Sequence, residues 1–163
     1  MDTVTLKTRK GLDFIIDRDD CERISQYTWF HAAGYLRARF PGNTNRLLHR
    51  FIMGLNKEDK EMVDHIDGNP LKNSKSNLRL ATNAQNSANQ RKLKGRVCSS
   101  HYKGVSWHKQ HKKWHSHIKY NGKSYHIGYF HSEEAAAEAY NEKALELFGD
   151  FACINSFLPF PYD

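Results

Sequence analysis

Apolar and polar positions alternate loosely over residues 3–16 and run into FIIDRDD, which predicts strands followed by a turn. In DDCERISQYTWF the acids sit near the start and Ile24 and Tyr27 fall at helical spacing, so a short helix is expected there. GYLRARF sets Tyr35, Arg37 and Arg39 against Leu36, Ala38 and Phe40, a strand with one basic face. RLLHRFIMGL places Leu47, Leu48, Phe51, Ile52 and Leu55 at the offsets of an apolar helical stripe, with Gly54 near its end. MVDHI is β-like, and DGNP after it is a strong turn signal. NLRLAT alternates Leu78 and Leu80 against Arg79 and Ala81, a second short strand. Thr82 then opens T-x-x-Q with Gln85, a capping box in which hydroxyl and amide satisfy the free N–H groups of a helix start. The segment therefore reads as strand, long loop, strand and a helix over about 83–90.

The last third changes character. RKLKGRVCSS is polar, basic and poor in apolar anchors, which makes 91–99 a linker. YKGVSWH, KWHSHIKY and KSYHIGYF are three strand-like runs, the last two joined by the turn NGK. Trp114, Ser116 and Ile118 share one face while His115, His117 and Lys119 share the other. By the same alternation Tyr125, Ile127 and Tyr129 oppose Ser124, His126 and Gly128. Ser132 caps EEAAAEAYNEKALELFG, whose Glu133 and Glu134 suit the positive end of a helix. Ala136, Ala139, Tyr140, Lys143, Ala144 and Leu147 trace its inward stripe, and Gly149 stops it. The fold class is α+β, with three strands on one helix at the C-terminal end.

Charge narrows the choice of partner. The 163 residues carry a formal net charge of +7, and its distribution says more than its total. From Gly68 to Ser132 there is no Asp or Glu, yet thirteen Lys and Arg and seven of the ten His fall there. A solvated face mixes signs. A basic, acid-free run attracts a polyanion, and nucleic acid leads. A membrane surface is disfavoured because the run holds no basic amphipathic helix. Cys21, Cys98 and Cys153 are far apart, and without a C-x-x-C pair a structural zinc site is not expected. The start lacks a signal-peptide stretch and no window approaches a transmembrane span, so a reduced intracellular protein is expected.

Candidate chemistry concentrates in residues 61–90. Asp64 and His65 are neighbours on a strand and point to opposite faces. A carboxylate and an amide oxygen, Asp64 and Asn86, are hard donors that suit magnesium or manganese better than zinc. His65, with a pKa near neutrality, can take a proton from an attacking water. Asn77, at the start of the second strand, is placed to bond across the loop. Taken singly, each has a blander role. Asp64 suits a turn, His65 a structural histidine, Asn73 and Asn77 turn formers, and Asn86 with Asn89 a solvated helix face. Packing and phosphate contact are equally open for His49.

The arrangement resembles the His-Asn-His (HNH) endonucleases, a ββα-metal unit, in the variant whose final His is Asn. His65 to Asn77 is a step of twelve and Asn77 to Asn86 a step of nine, spacings similar to those of phage-intron homing enzymes. LHR at 48–50 and DHIDGN at 64–69 also look like that family. The resemblance implies Asp64 and Asn86 as metal ligands for one Mg2+ or Mn2+, His65 as general base and Asn77 as the loop-fixing residue. Residues 101–155 in turn resemble the Apetala-type (ethylene-response-factor-like) DNA-binding domain, whose sheet contacts DNA. Carried over by position, the groove-facing set is Lys103, Ser106, His108, His117, Lys119, Ser124 and His126. The expected organisation is an HNH domain over 1–90 with its ββα core at 61–90, a linker over 91–99 and a DNA-binding domain over 100–157. The expected activity is a homing-type endonuclease on double-stranded DNA, nicking when it acts as a monomer, with no obligate protein partner. The rival is a non-catalytic DNA-binding regulator built on a degenerate HNH scaffold.

Overall fold

In the computed structural model, which describes residues 2–42, 44–92 and 98–157, each strand of a sheet pairs antiparallel with a sequence neighbour. Short turns suffice for such pairing. The chain falls into two compact units, Met1–Asn86 and Ser87–Asp163. Among the described residues the architecture mixes four small sheets with short helices and one longer helix. No helix there is long and apolar enough to cross a membrane.

The first unit begins with the hairpin β1 (Thr3–Lys7) and β2 (Asp13–Asp17), then α1 (Cys21–Ser25). A meander of β3 (Trp29–Ala32), β4 (Tyr35–Phe40) and β5 (Thr44–Leu47) follows, with α2 (Leu48–Ile52) after it. Next come β6 (Met62–His65), β7 (Leu78–Ala81) and the first residues of α3 (Asn83–Asn89), whose last three residues fall in the second unit. Phe14, Ile16, Ile24, Trp29, Leu36, Ala38, Leu48, Ile52, Val63 and Leu78 form the core, so every element except α3 and β5 contributes at least an edge to it. Tyr27, Phe40 and Phe51 extend it, with Tyr27 stacked on Phe40 at 4.0 Å. The indole N–H of Trp29 donates to the Ile24 carbonyl at 2.9 Å and so fixes α1 on the meander.

The short helix expected in DDCERISQYTWF forms at Cys21–Ser25 and ends before Tyr27, where the Trp29 indole of β3 takes the carbonyl of Ile24. The apolar stripe from Leu47 to Leu55 yields only five helical residues: Leu47 closes β5, and Gly54 at φ 72° turns the chain before Leu55.

The second unit holds β8 (Val105–His108), β9 (Lys113–Tyr120) and β10 (Lys123–Phe130), in spatial order β10-β9-β8. Helix α4 (Glu133–Phe148) covers one face. Tyr102, Val105, Ala136 and Ala137 make one buried cluster, and Ile118, Tyr140 and Ala144 another. Alanines at the helix surface let it lie close to the sheet. Gly104 shows how close, because a Cβ there would stand 2.1 Å from the Tyr140 ring. Asn121 and Gly122, both at positive φ, form the β9–β10 turn that NGK predicts. Asn155 ties the following segment down: Lys103 N donates to its Oδ1 at 2.7 Å, and its own N donates to Asn141 Oδ1 at 2.6 Å.

The strict alternation expected of β10 does not survive. A bulge between His126 and Gly128 shifts the register, so Gly128 faces Ser116, Tyr129 faces His115 and Phe130 faces Trp114. Tyr129 thus joins the histidines, and Phe130 takes the inward place against the helix-side core. The expected linker 91–99 lies mainly outside the described residues, since 93–97 are not among them.

Candidate functional site

The long segment between β6 and β7 is held by amides. Asn77 accepts the N–H of Asp67 on Oδ1 at 3.1 Å and donates from Nδ2 to Asp67 Oδ1 at 3.0 Å and to the Lys72 carbonyl at 2.8 Å. Asp67 Oδ1 also accepts from Asn69 N, and Asn69 Oδ1 accepts from Leu71 N. Burial pushes the Asp67 pKa up, but the bonds from Asn69, Asn77 and Lys72 outweigh it and hold the carboxyl below its ordinary range. Farther along, Ile15 N donates to the Leu71 carbonyl, Asn73 N to the Ile15 carbonyl and Lys75 N to Asp17 Oδ2. The loop is therefore sewn to β2. Asparagine serves here because its short amide both donates and accepts beside its own backbone.

That loop brings Asn73 against His65. Both side chains are buried, and His65 Nε2 lies 3.1 Å from Asn73 Oδ1. Asn73 Nδ2 donates to the Pro70 carbonyl at 3.0 Å, so its oxygen must face the imidazole. In that orientation the Nε2 proton of His65 is directed at Asn73 Oδ1. Burial lowers the His65 pKa, against the raising effects of Asn73, Asp67 and Asp64. A neutral imidazole is the form able to accept a proton.

Asp64 points to the other face of β6, where its register partner on β7 is Arg79. The guanidinium meets Asp64 Oδ2 from Nε at 2.9 Å and from a terminal nitrogen at 2.8 Å. Asp64 is only 5% exposed, and the guanidinium compensates the loss of water around its carboxylate. Asn86 lies half-buried in α3, its N–H bonded to the Thr82 carbonyl. Both bonds of the capping box are present: Gln85 N to Thr82 Oγ1 at 3.2 Å and Thr82 N to Gln85 Oε1 at 2.8 Å.

His49, which the sequence left open between packing and contact, is buried on α2 with its ring edge-on to His65 at 5.1 Å. Burial, with the positive influence of His65, Arg50 and Arg37, lowers its pKa to about 3. Tyr35 sits 5.3 Å from the His49 ring and 6.4 Å from the His65 ring, and it is 39% exposed. The imidazole pair thus has solvent on the Tyr35 side. Asn73 and Tyr35 were not singled out as site residues by the sequence. Nothing local marks them for the site, because the imidazoles they meet lie eight or more positions away.

Among the described residues no group of three or more His, Cys, Asp or Glu is arranged to hold a metal ion. A hard-oxygen pair such as Asp64 and Asn86 would leave most positions of a magnesium-type shell to water and phosphate, and it fits that kind of ion by donor chemistry. Arg79 already occupies Asp64 Oδ2, so an ion would share the carboxylate with a guanidinium.

In the second unit the face of the sheet away from α4 carries Ser106, His108, His115, His117, Lys119, Ser124, His126 and Tyr129, as the register requires. His115 Nε2 is 2.8 Å from His126 Nδ1, and the His115 ring stacks at 5.1 Å on His117. Tyr129 lies 5.1 Å from His108, 4.4 Å from His111 and 4.7 Å from His126. Lys103 does not join this face. It precedes β8, and its ammonium donates to the Ala88 carbonyl, with burial lowering its pKa. Tyr129 and His111 do belong to the cluster, and Gly128 inside a strand was the available signal of the bulge that brings Tyr129 there.

A buried Asp-His pair ends β6, and an asparagine-fastened loop leads from it to β7 and the capped helix α3. The HNH endonuclease family profile matches residues 46–88, the stretch from β5 through α3. An HNH endonuclease of Acanthamoeba polyphaga mimivirus is 40% identical over 151 residues, covering 90% of this chain and 76% of that protein. The chain belongs to the HNH endonuclease family. Protein 3.8 of Escherichia phage T7 is 38% identical over 90 residues, covering 55% of this chain and 72% of that protein. No solved structure matches the chain. Nucleases of this family generally use a divalent metal ion.

Proposed function

We propose that this protein is an intracellular, divalent-metal-dependent DNA endonuclease of the homing type. Asp64 and Asn86 are the residues that would hold the ion, Mg2+ or Mn2+, which when bound supplies positive charge to the phosphate and the leaving oxygen. His65 acts as general base. As a water oxygen attacks phosphorus, its proton passes to His65 Nδ1 and the P–O3′ bond breaks in line, leaving a 5′ phosphate and, once the leaving oxygen is protonated, a 3′ hydroxyl. Asn77 keeps the loop in place, and Asn73 keeps the proton on Nε2 so that Nδ1 does the work. The outer face of the C-terminal sheet lies on double-stranded DNA as in Apetala-type domains, with Ser106, His108, His117, Lys119, Ser124 and His126 reaching the groove and the backbone. Lys103 drops out of that set because its ammonium is spent on Ala88. A single site cuts one strand per encounter, so a monomer nicks.

The observation that carries the reading is the buried Asp64–His65 pair with Asn73 turned onto His65 Nε2, inside the family-matched segment. The test is nicking of supercoiled plasmid in magnesium or manganese against EDTA, by the unmutated chain and by His65→Ala. Loss of the base should slow cutting by roughly 10²–10⁴-fold with DNA binding intact. Cutting that persists in His65→Ala removes the base assignment.

One observation favours the second reading, a DNA-binding regulator without catalysis: Arg79 donates from Nε to, and is ion-paired with, the carboxylate that would hold the ion. DNA binding with no nicking in any divalent ion, even for Arg79→Gln, would establish that reading instead.

A further inference from the structure

Among the described residues of the first unit, the half-buried arginines Arg23, Arg50 and Arg79 have oxygen partners within it. Arg23 pairs with Asp20 and donates to the Ile52 carbonyl at 2.8 Å. Arg50 donates to the carbonyls of Asn56, Asp59 and Glu61, and Arg79 holds Asp64. Arg37 has no such arrangement. It is half-buried at the middle of β4, opposite Phe30 of β3 and Leu47 of β5, and its Nε is buried with no hydrogen-bond partner among the described residues. It enters none of the ion pairs among those residues either.

A guanidinium keeps its charge at any ordinary pH, and a buried nitrogen left without an acceptor is a cost the fold does not recover internally. Such an arrangement is stable to evolution when a ligand completes it. The ligand class follows from the group: a planar fork of N–H donors matches the oxygens of a phosphate. The place also matters. Tyr35 is two residues earlier on the same face of β4, and its ring lies 5.3 Å from that of His49 and 6.4 Å from that of His65. The positive charge of Arg37 reaches His49, where it helps to keep that imidazole neutral.

We propose that Arg37 binds a non-bridging oxygen of the DNA backbone at or next to the bond that is cut. The proposal rests on the nuclease reading above and adds to it the residue that seats the substrate phosphate beside His65. Neither the family resemblance nor the sequence spacing pointed to it.

The test compares Arg37→Gln and Arg37→Lys with the unmutated full chain by three measurements. The first is thermal unfolding without DNA. The second is the nicking rate on supercoiled plasmid at saturating protein. The third is the salt dependence of binding to a short duplex in EDTA, made in the His65→Ala background so that no cutting intervenes. Arg37→Gln is expected to melt at the same temperature or higher, since it removes an uncompensated buried charge. It should nick about 10²-fold more slowly, the scale for losing one preorganised donor. Its slope of log K against log salt should be shallower by about 0.9, one phosphate contact. Arg37→Lys keeps the charge but not the fork, so it should restore the slope and little of the rate. Unchanged nicking and slope in Arg37→Gln would overturn the proposal. So would a fall in melting temperature that accounts for the lost activity, which would make Arg37 part of the scaffold. Should the unmutated chain nick nothing in any divalent ion, the nuclease reading fails, while the slope comparison still decides whether Arg37 holds a phosphate.

Discussion

Truncating Asn73 to alanine separates the two jobs that the loop amides perform. Asn73 is 1% exposed and touches the site at two points, His65 Nε2 at 3.1 Å and the Pro70 carbonyl at 3.0 Å. Alanine keeps the backbone bond to the Ile15 carbonyl but leaves a buried imidazole N–H and a half-buried carbonyl without partners. An unsatisfied buried group costs about 1–3 kcal/mol. Water can reach Pro70 in part, so the pair comes to roughly 2–4 kcal/mol for Asn73→Ala. The change should appear as a lower urea midpoint with an unaltered slope, because the area exposed on unfolding is nearly the same. At a temperature where the variant is still folded, its nicking rate should also fall by about 10-fold or more, because nothing then fixes the proton on Nε2 or the ring angle. Asn73→Ser, which can still offer an oxygen to the imidazole but not a donor to Pro70, should recover rate more than stability. A variant within about 0.5 kcal/mol of the unmutated chain, the range of inconsequential surface changes, would refute the reasoning. So would one that loses stability and nicks at full speed.

Further expectations concern the second unit. Burial is the first cause of the lowered pKa of His115 and of His117, with the neighbouring histidines and Lys92 adding to it. A histidine whose folded pKa lies below its unfolded value contributes stability above the unfolded pKa of about 6.5 and loses it as pH falls toward the folded value. Thermal stability of this unit should therefore decrease on acidification below about pH 6.5, and His115→Gln with His117→Gln should flatten the dependence; an unchanged profile would rule the cluster out as its source. The groups facing these rings include His108, His126, Tyr129 and Lys92, so bound DNA phosphates should reduce the acid loss in a melt run with duplex present. Gly104→Ala would set a methyl 2.1 Å from the Tyr140 ring and 2.7 Å from the His117 carbonyl, at φ 75°. Overpacking and backbone strain together should cost roughly 2–5 kcal/mol, read as a large drop in the melting temperature of the unit, and a drop of only a degree or two would show that α4 yields instead.

How far the fold was legible depends on how local its cause is. The capping box at Thr82 and Gln85, the NGK turn and the Ser132 cap of α4 each involve residues within four positions, and each forms with the partners the sequence names. Strand β3 was hidden because WFHA shows no alternation that distinguishes it from the end of a helix; the Trp29 indole bond and the pairing with β4 decide it. The bulge in β10 is decided by which residues of β9 face Gly128 and Tyr129, so a period of two cannot contain it. The same division runs through the site. Asp64, His65 and Asn77 stand out by type and spacing. Asn73 looks like any turn former until the loop is folded, and whether His49 packs or reaches outward depends on α2 lying near β6, a contact between segments more than ten residues apart.

The site also explains why so small a unit spends its amides on one loop. Three ionisable side chains, Asp64, His65 and His49, are each no more than 6% exposed, in a core that offers only hydrocarbon and aromatic neighbours. Each requires a compensating group at a fixed position, since a buried charge or N–H held loosely loses most of its partner's benefit. Arg79 meets that need for Asp64 across one register pair, which a two-stranded ladder can hold unaided. His65 has no such neighbour on β7, where it faces Leu78, so its partner has to come from the loop. A polar loop that long would not keep a single conformation by apolar burial alone, with Leu71 its one half-buried large aliphatic side chain in the core cluster. The bonds of Asn69, Asn73 and Asn77, together with the three that tie the loop to β2, supply the missing constraint. On this argument the asparagines are where they are because His65 must be both buried and aimed.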